Sequence, residues 1–122
     1  MNLNCPLCNS TATLFCEKPR HLFYKCNTCE GIFRPKHTFL TAKEEKEHYE
    51  KHNNDVFDER YQAFVSPIVN AVLHDFSPEA KGLDFGSGTG PVIAKMLTDK
   101  GFQVQNYDLF FANEVSLLKE KY

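Results

Sequence analysis

Gly82-Leu83-Asp84-Phe85-Gly86-Ser87-Gly88-Thr89-Gly90-Pro91 carries the most specific pattern in the chain. An apolar run ends in an acid, and glycines then occupy every second position. A proline suited to the first turn of a helix follows. Val92, Ile93, Met96 and Leu97 continue at helical spacing, and Gly101 stands where such a helix would stop. The pattern predicts a strand over 81–85, a glycine loop over 86–90 and a helix over 91–100. Glycines in a strand–loop–helix unit let backbone amides approach a ligand closely, so the unit is of the nucleotide- or cofactor-binding kind.

Downstream, Phe102 to Tyr107 reads as a second strand ending at Asp108. A strand–helix–strand unit of this length implies a parallel pair with a right-handed crossover. Ligands bind such sheets at the carboxyl ends of the strands, which places the Gly86–Gly90 loop and Asp108 on one rim. An acid there suits ribose hydroxyls. The dinucleotide fingerprint GxGxxG does not fit: counted from Gly86 it requires glycine where Pro91 stands, and counted from Gly88 where Ile93 stands. A phosphate-binding P-loop is excluded because no Gly-Lys-Ser/Thr follows. What remains is acid-x-GxGxG, carried by Asp84, Gly86, Gly88 and Gly90.

The other strong pattern lies at the opposite end of the chain. Cys5-Pro6-Leu7-Cys8 and Cys26-Asn27-Thr28-Cys29 are separated by seventeen residues, 9–25. This falls within the C-x2-C-x15–20-C-x2-C spacing of structural zinc sites. Each turn aims two thiolates at one point, and two turns close a tetrahedron around Zn²⁺. Such a site is closed and not catalytic. Residues 11–15 and 21–25 alternate as two strands of a ribbon, with Gly31-Ile32-Phe33 as a third. So small a piece depends on metal for most of its folding free energy. Cys16 is left over and expected as a buried or half-buried free thiol.

Between these ends, Phe33 to Lys36 forms a connector, and Thr41-Ala42-Lys43-Glu44 is a capping box opening a charged helix over 42–52. His48 and His52 are spaced i, i+4 on it, a pair more simply read as surface side chains than as metal ligands. Tyr61, Phe64, Val65, Ile68, Val69, Val72, Leu73 and Phe76 form a broad apolar stripe on a second helix, 58–74, and are expected in the core. Pro67 should kink or break that helix.

Composition bounds the rest. The chain has 122 residues, eleven phenylalanines and a formal charge of −2, the profile of an ordinary globular protein without a general basic footprint. No apolar run approaches the roughly 18–20 residues that span a bilayer. The first eight residues carry no secretory h-region, and CxxC pairs without an export signal fit a reducing compartment, so a cytoplasmic location is expected.

The chain resembles the class I S-adenosylmethionine-dependent methyltransferases. Leu83 to Gly90 matches their first motif, and Asn106-Tyr107-Asp108 matches the acid ending their second strand. Together with the cysteine pairs, Tyr49-Glu50-Lys51-His52-Asn53-Asn54-Asp55 and Tyr107 to Ala112, the whole chain looks like bacterial members with an N-terminal zinc-binding segment. The resemblance implies an α/β architecture: a zinc ribbon over 1–36, a helical linker or cap over 37–77, and the β-α-β half of a Rossmann-like S-adenosylmethionine-binding domain over 78–122. It implies Asp84, Gly86, Ser87, Gly88 and Gly90 at the methionine end of the cofactor, Asp108 on the ribose and Leu109 against adenine. Tyr49, His52 and Asn53 become candidates for cofactor contact or substrate orientation, Tyr49 and His52 also for catalysis, and Cys5, Cys8, Cys26 and Cys29 are expected to hold structural zinc. Members continue with further strands, so a truncated form with an incomplete pocket, inactive alone, is expected, completed by an oligomer or a complementing C-terminal half. The methyl acceptor is not legible. A zinc-ribbon module binding nucleic acid or protein is the alternative; nucleic acid is not favoured, because Lys18, Arg20, Lys25, Arg34 and Lys36 are interrupted by Glu17 and Glu30.

Overall fold

The computed structural model describes residues 3–52 and 54–122. They divide into two compact units, residues 1–42 and 43–122. The first carries a four-stranded antiparallel sheet in the order β1-β2-β3-β4, from Leu3–Asn4 (β1), Thr11–Lys18 (β2), His21–Cys26 (β3) and Ile32–Phe33 (β4). The second contains the helices α1 (Ala42–Glu50, beginning at the boundary), α2 (Glu59–Asp75) and α3 (Val92–Thr98). Its sheet is a parallel pair, β5 (Lys81–Phe85) and β6 (Gln103–Tyr107). The protein is therefore mixed α/β.

In the first unit β2 and β3 form a hairpin in which Lys18 faces His21 across the turn. Arg20 takes a positive φ of 69° in that turn. A register shift between Leu14 and Cys16 bulges β2, which places Phe15 outside the ladder and bends the strand. Tyr24 stacks on Phe33 of β4, with ring centroids 6.3 Å apart. Apart from the cysteines, the apolar residues buried here among the described residues are Ala12, Tyr24 and Pro35. A short 3₁₀ turn at Lys36–Thr38 ends the unit, closed by Thr38 Oγ1 donating to the Pro35 carbonyl at 2.7 Å.

The second unit has a real core. Val65 and Val69 of α2 meet Val92 and Leu97 of α3 and Phe102 just before β6. Asp58 opens α2 as expected of an N-cap, its carboxylate accepting from the Arg60 amide at 2.9 Å. Pro67 does not break this helix, which runs unbroken from Glu59 to Asp75. The missing proline N–H would have served the Ala63 carbonyl. Ser66 Oγ donates to that carbonyl instead, at 2.8 Å. The predicted apolar stripe is core only on its inner half. Phe64 is 77% exposed, Phe76 59% and Ile68 51%, because α3 and a sheet two strands wide cover only the side holding Val65 and Val69.

β5 and β6 pair in register from Lys81↔Gln103 to Phe85↔Tyr107, so Asp84 sits beside Asn106. Gly101, at φ 87°, ends the crossover after α3, where a left-handed conformation is needed. No helix among the described residues is long and apolar enough to cross a membrane.

Candidate functional sites

The candidate metal centre is built from two copies of one local structure. In the first, the Cys5 amide donates to the Ser10 carbonyl at 2.8 Å; in the second, the Cys26 amide donates to the Gly31 carbonyl at 2.9 Å. The residue after each second cysteine, Asn9 and Glu30, takes a left-handed φ of 58° and 60°. Each CxxC segment thus folds back within six residues, 5–10 and 26–31, and turns both sulfurs to the same side. β-Pairing then brings the two turns together, since Cys26 ends β3 opposite Ala12 of β2.

The four sulfurs of Cys5, Cys8, Cys26 and Cys29 lie within 4.8 Å of one another. Cys5 and Cys29 are 3.6 Å apart, and Cys8 and Cys26 3.5 Å. A tetrahedron with Zn–S bonds of about 2.3 Å has edges of about 3.8 Å, so the donor set fits zinc. The amides of Thr28 and Cys29 both donate to Cys26 Sγ at 3.4 Å, as suits a sulfur carrying negative charge.

The four thiols crowd one another electrostatically. The Ser10 hydroxyl and amide hold the Cys8 thiol down at about 6. The amides of Cys29 and Thr28 lower Cys26. Cys29 is pulled down by the Gly31 amide, yet its sulfur neighbours Cys26, Cys5 and Cys8 push it up to about 12. Four thiolates at this separation repel one another, and a divalent ion is what removes that conflict. Cys16 is half-buried and free, outside the cluster.

The second candidate site lies at the carboxyl ends of β5 and β6. Gly86 and Gly88 take φ values of 82° and 69°, and a side chain added at either would meet open space. The Gly86 and Ser87 amides donate to the Tyr107 carbonyl, at 2.7 and 3.0 Å, which folds the loop over the end of β6. Asp108 fastens the loop on the other side, its Oδ2 accepting from the Gly88 amide at 2.9 Å. Its Oδ1 accepts from the amides of Phe110 and Phe111, at 2.9 and 3.2 Å. A carboxylate has about four acceptor positions, so three are spent on backbone and one is left for a ligand.

Gly90 differs from the other loop glycines. A Cβ there would run into the backbone carbonyl of Asn54, so Gly90 admits the α1–α2 connection against the loop. Thr89 Oγ1 donates to the His52 carbonyl at 3.1 Å, a second tie between the same segments. The sequence pattern gave Gly90 no role distinct from Gly86 and Gly88. Only the long-range approach of Asn54 separates them.

A cleft of about 400 Å³ opens on this rim. Its walls include Gly86, Gly88, Asp108 and Leu109 from the expected cofactor residues and Tyr49 from α1, together with Glu45, Phe85, Tyr107 and Phe110. Asp84 lies instead on a separate groove of about 290 Å³ that runs along β5 between α2 and α3. Burial raises the Asp84 carboxyl above its ordinary range, and the charge of Asp108 adds to the rise. Ser87 and Gly90 line neither space. His52 follows the end of α1 with its ring 4.9 Å from His48 and 5.8 Å from Tyr49. The only group of three or more potential metal ligands among the described residues is the cysteine cluster. Asn53 lies outside the described residues. Glu45 escaped sequence reasoning because a glutamate on a charged helix carries no signal of its own.

No protein-family model, curated protein or solved structure matches the chain.

Proposed function

We propose that residues 43–122 hold S-adenosylmethionine for a methyltransferase and that residues 1–42 are a structural zinc ribbon. The observation that carries the methyltransferase reading is the bond from the Gly88 amide to Asp108, which joins an acid-x-GxGxG loop to the acid ending the neighbouring parallel strand at the edge of one cleft. Asp108 keeps an acceptor for a ribose hydroxyl, Leu109 and Phe110 offer apolar surface for a base, and Gly86 and Gly88 leave space for the amino-acid end. This fits a Rossmann-like arrangement of β5, α3 and β6 with α1 as a cap. When bound, S-adenosylmethionine supplies an electrophilic methyl on a sulfonium. The chain's part is to fix its orientation, since alignment with the acceptor provides much of the rate in such a displacement. Tyr49 remains the candidate for acceptor orientation from this cleft, His52 from beside it. Calorimetry on the zinc-loaded chain tests the reading: binding is expected with S-adenosylmethionine, and absence of both heat and thermal shift overturns it.

A second reading starts from the exposed surface of the first unit. Lys18, Arg20, Lys25, Arg34 and Lys36 are interrupted by Glu17 and Glu30 but outnumber them, so residues 1–42 carry +3 while the chain as a whole carries −2. Leu14 and Phe15 are more than half exposed at the bulge of β2. An RNA- or DNA-binding ribbon would use this surface by charge and stacking. A salt-dependent affinity for single-stranded RNA or DNA supports it, and no binding at low salt removes it.

A further inference from the structure

We infer that the cleft at the carboxyl ends of β5 and β6 selects a cation, discriminating the sulfonium of S-adenosylmethionine from the neutral thioether left after methyl transfer, with Glu45 of α1 as the residue that senses the charge. This deepens the proposed cofactor reading and rests on it.

The composition of the cleft wall is the starting point. Among the described residues its charged side chains are Glu45 and Asp108, its rings are Tyr49, Phe85, Tyr107 and Phe110, and no lysine, arginine or histidine lines it. A phosphate-bearing ligand would meet two carboxylates and no counter-charge. A cation would meet carboxylates and the negative faces of aromatic rings, both attractive.

Glu45 is the informative member. It is the least exposed residue of α1, half-buried where the rest of this strongly charged helix is exposed, and with Tyr49 it lines the cleft. Two ion pairs lie within the helix, Lys43–Glu47 and Lys46–Glu50, and Glu45 takes part in neither. Among the described residues it has no cationic partner. A half-buried carboxylate without one retains its field for a ligand. Phe85 supplies the second component. Its ring stacks on Tyr107 with centroids 5.3 Å apart and an interplanar angle of 20°, yet Phe85 is 71% exposed. The ring is anchored on one side and open on the other. The carboxylate of Asp108 strengthens the negative field, and its influence reaches Asp84 across the strand ends. Loss of the methyl cation removes the ligand's sulfur charge, so the same wall that favours the substrate form holds the spent form less tightly.

Affinities of the zinc-loaded chain for S-adenosylmethionine and S-adenosylhomocysteine, measured side by side by calorimetry, test this. The expected result is tighter binding of the sulfonium by roughly three- to tenfold, the range of a partly desolvated cation–π contact. Glu45→Gln should shrink that ratio, while Glu47→Gln, whose carboxylate pairs with Lys43 instead, should leave it unchanged. Equal affinities, or tighter binding of the thioether, overturn the charge selection and leave the cofactor reading standing. A preference that Glu45→Gln does not reduce overturns the role of Glu45. Failure of both ligands to bind a folded chain removes the cofactor reading and this inference together.

Discussion

The two units of this chain solve the problem of being small in different ways. Residues 43–122 bury Val65, Val69, Val92, Leu97 and Phe102 in one cluster drawn from two helices and the residue leading into β6. Among the described residues, 1–42 bury Ala12, Tyr24, Pro35 and two of their own cysteines, and most of their larger apolar side chains, Leu7, Leu14, Phe15 and Ile32 among them, face solvent. The hydrophobic effect scales with apolar area removed from water, so it supports the second unit and not the first. The four-sulfur cluster occupies the place in the first unit that the valine–leucine–phenylalanine cluster occupies in the second. Chemistry substitutes for packing.

The largest effect that would break this comparison is metal removal. A strong chelator, or Cys26→Ser, should unfold residues 1–42, since structural zinc contributes on the order of 10 kcal/mol or more in small ribbons. Amide exchange should show protection lost across β2 and β3 and kept across α2, α3 and β6. Retained protection in β2 and β3 without metal would mean that the ribbon stands on its own packing.

Next in size is the mirror experiment. Phe102→Ala should destabilise the second unit by about 3–5 kcal/mol, the usual range for deleting a buried aromatic ring, and leave zinc binding unchanged. Denaturant unfolding followed separately in the two units checks it; equal loss in both would show that they fold as one.

Much of this division was legible from residue order, because its signals are local. A CxxC turn needs only its own backbone, and the 5–10 and 26–31 segments repeat the same hydrogen bond and the same left-handed residue. The alternation of 81–85 and 103–107 and the helical spacing from Val92 to Leu97 are likewise properties of the segments themselves. The first strand of the ribbon, Leu3–Asn4, was not legible, being two residues long and defined only by its pairing with 11–12. Nor was the uncovered half of the α2 stripe, because periodicity shows which face is apolar and not how wide a sheet lies beneath it. At the cleft, the loop and Asp108 were legible from spacing, whereas the occupation of Asp108 by three amides and the arrival of Glu45 depend on contacts distant in sequence.

Gly90 sharpens the comparison within the second unit. Gly86→Ala and Gly88→Ala each force a side chain into a left-handed backbone, a cost of about 1–2 kcal/mol without any collision. Gly90→Ala drives a Cβ into the Asn54 carbonyl and should cost more, about 2–3 kcal/mol in the manner of an overpacked site, with the 52–55 connection displaced. Thermal denaturation of the three variants gives the ranking. A mild Gly90→Ala would mean the connection is free to move away from the loop.

The smallest effect separates the two units by pH. Burial, helped by the charge of Asp108, raises the carboxyl of Asp84 in the folded state above its value of 3.8 in the unfolded chain. The folded form therefore holds this proton more tightly than the unfolded form. Its stabilising contribution is complete below the unfolded value and is lost as pH rises through the folded one. At neutral pH the ionised Asp84 opposes folding of the second unit, and Asp84→Asn should raise the midpoint of that unit's thermal transition by a few degrees at most. The gain should vanish at pH values below the unfolded carboxyl range, where Asp84 is protonated in both states. The partial exposure of the strand end keeps the effect small, because water screens part of the cost. The ribbon's transition should not respond to this substitution at any pH. A variant less stable than the parent at neutral pH would show instead that the ionised carboxylate is needed by the loop it adjoins.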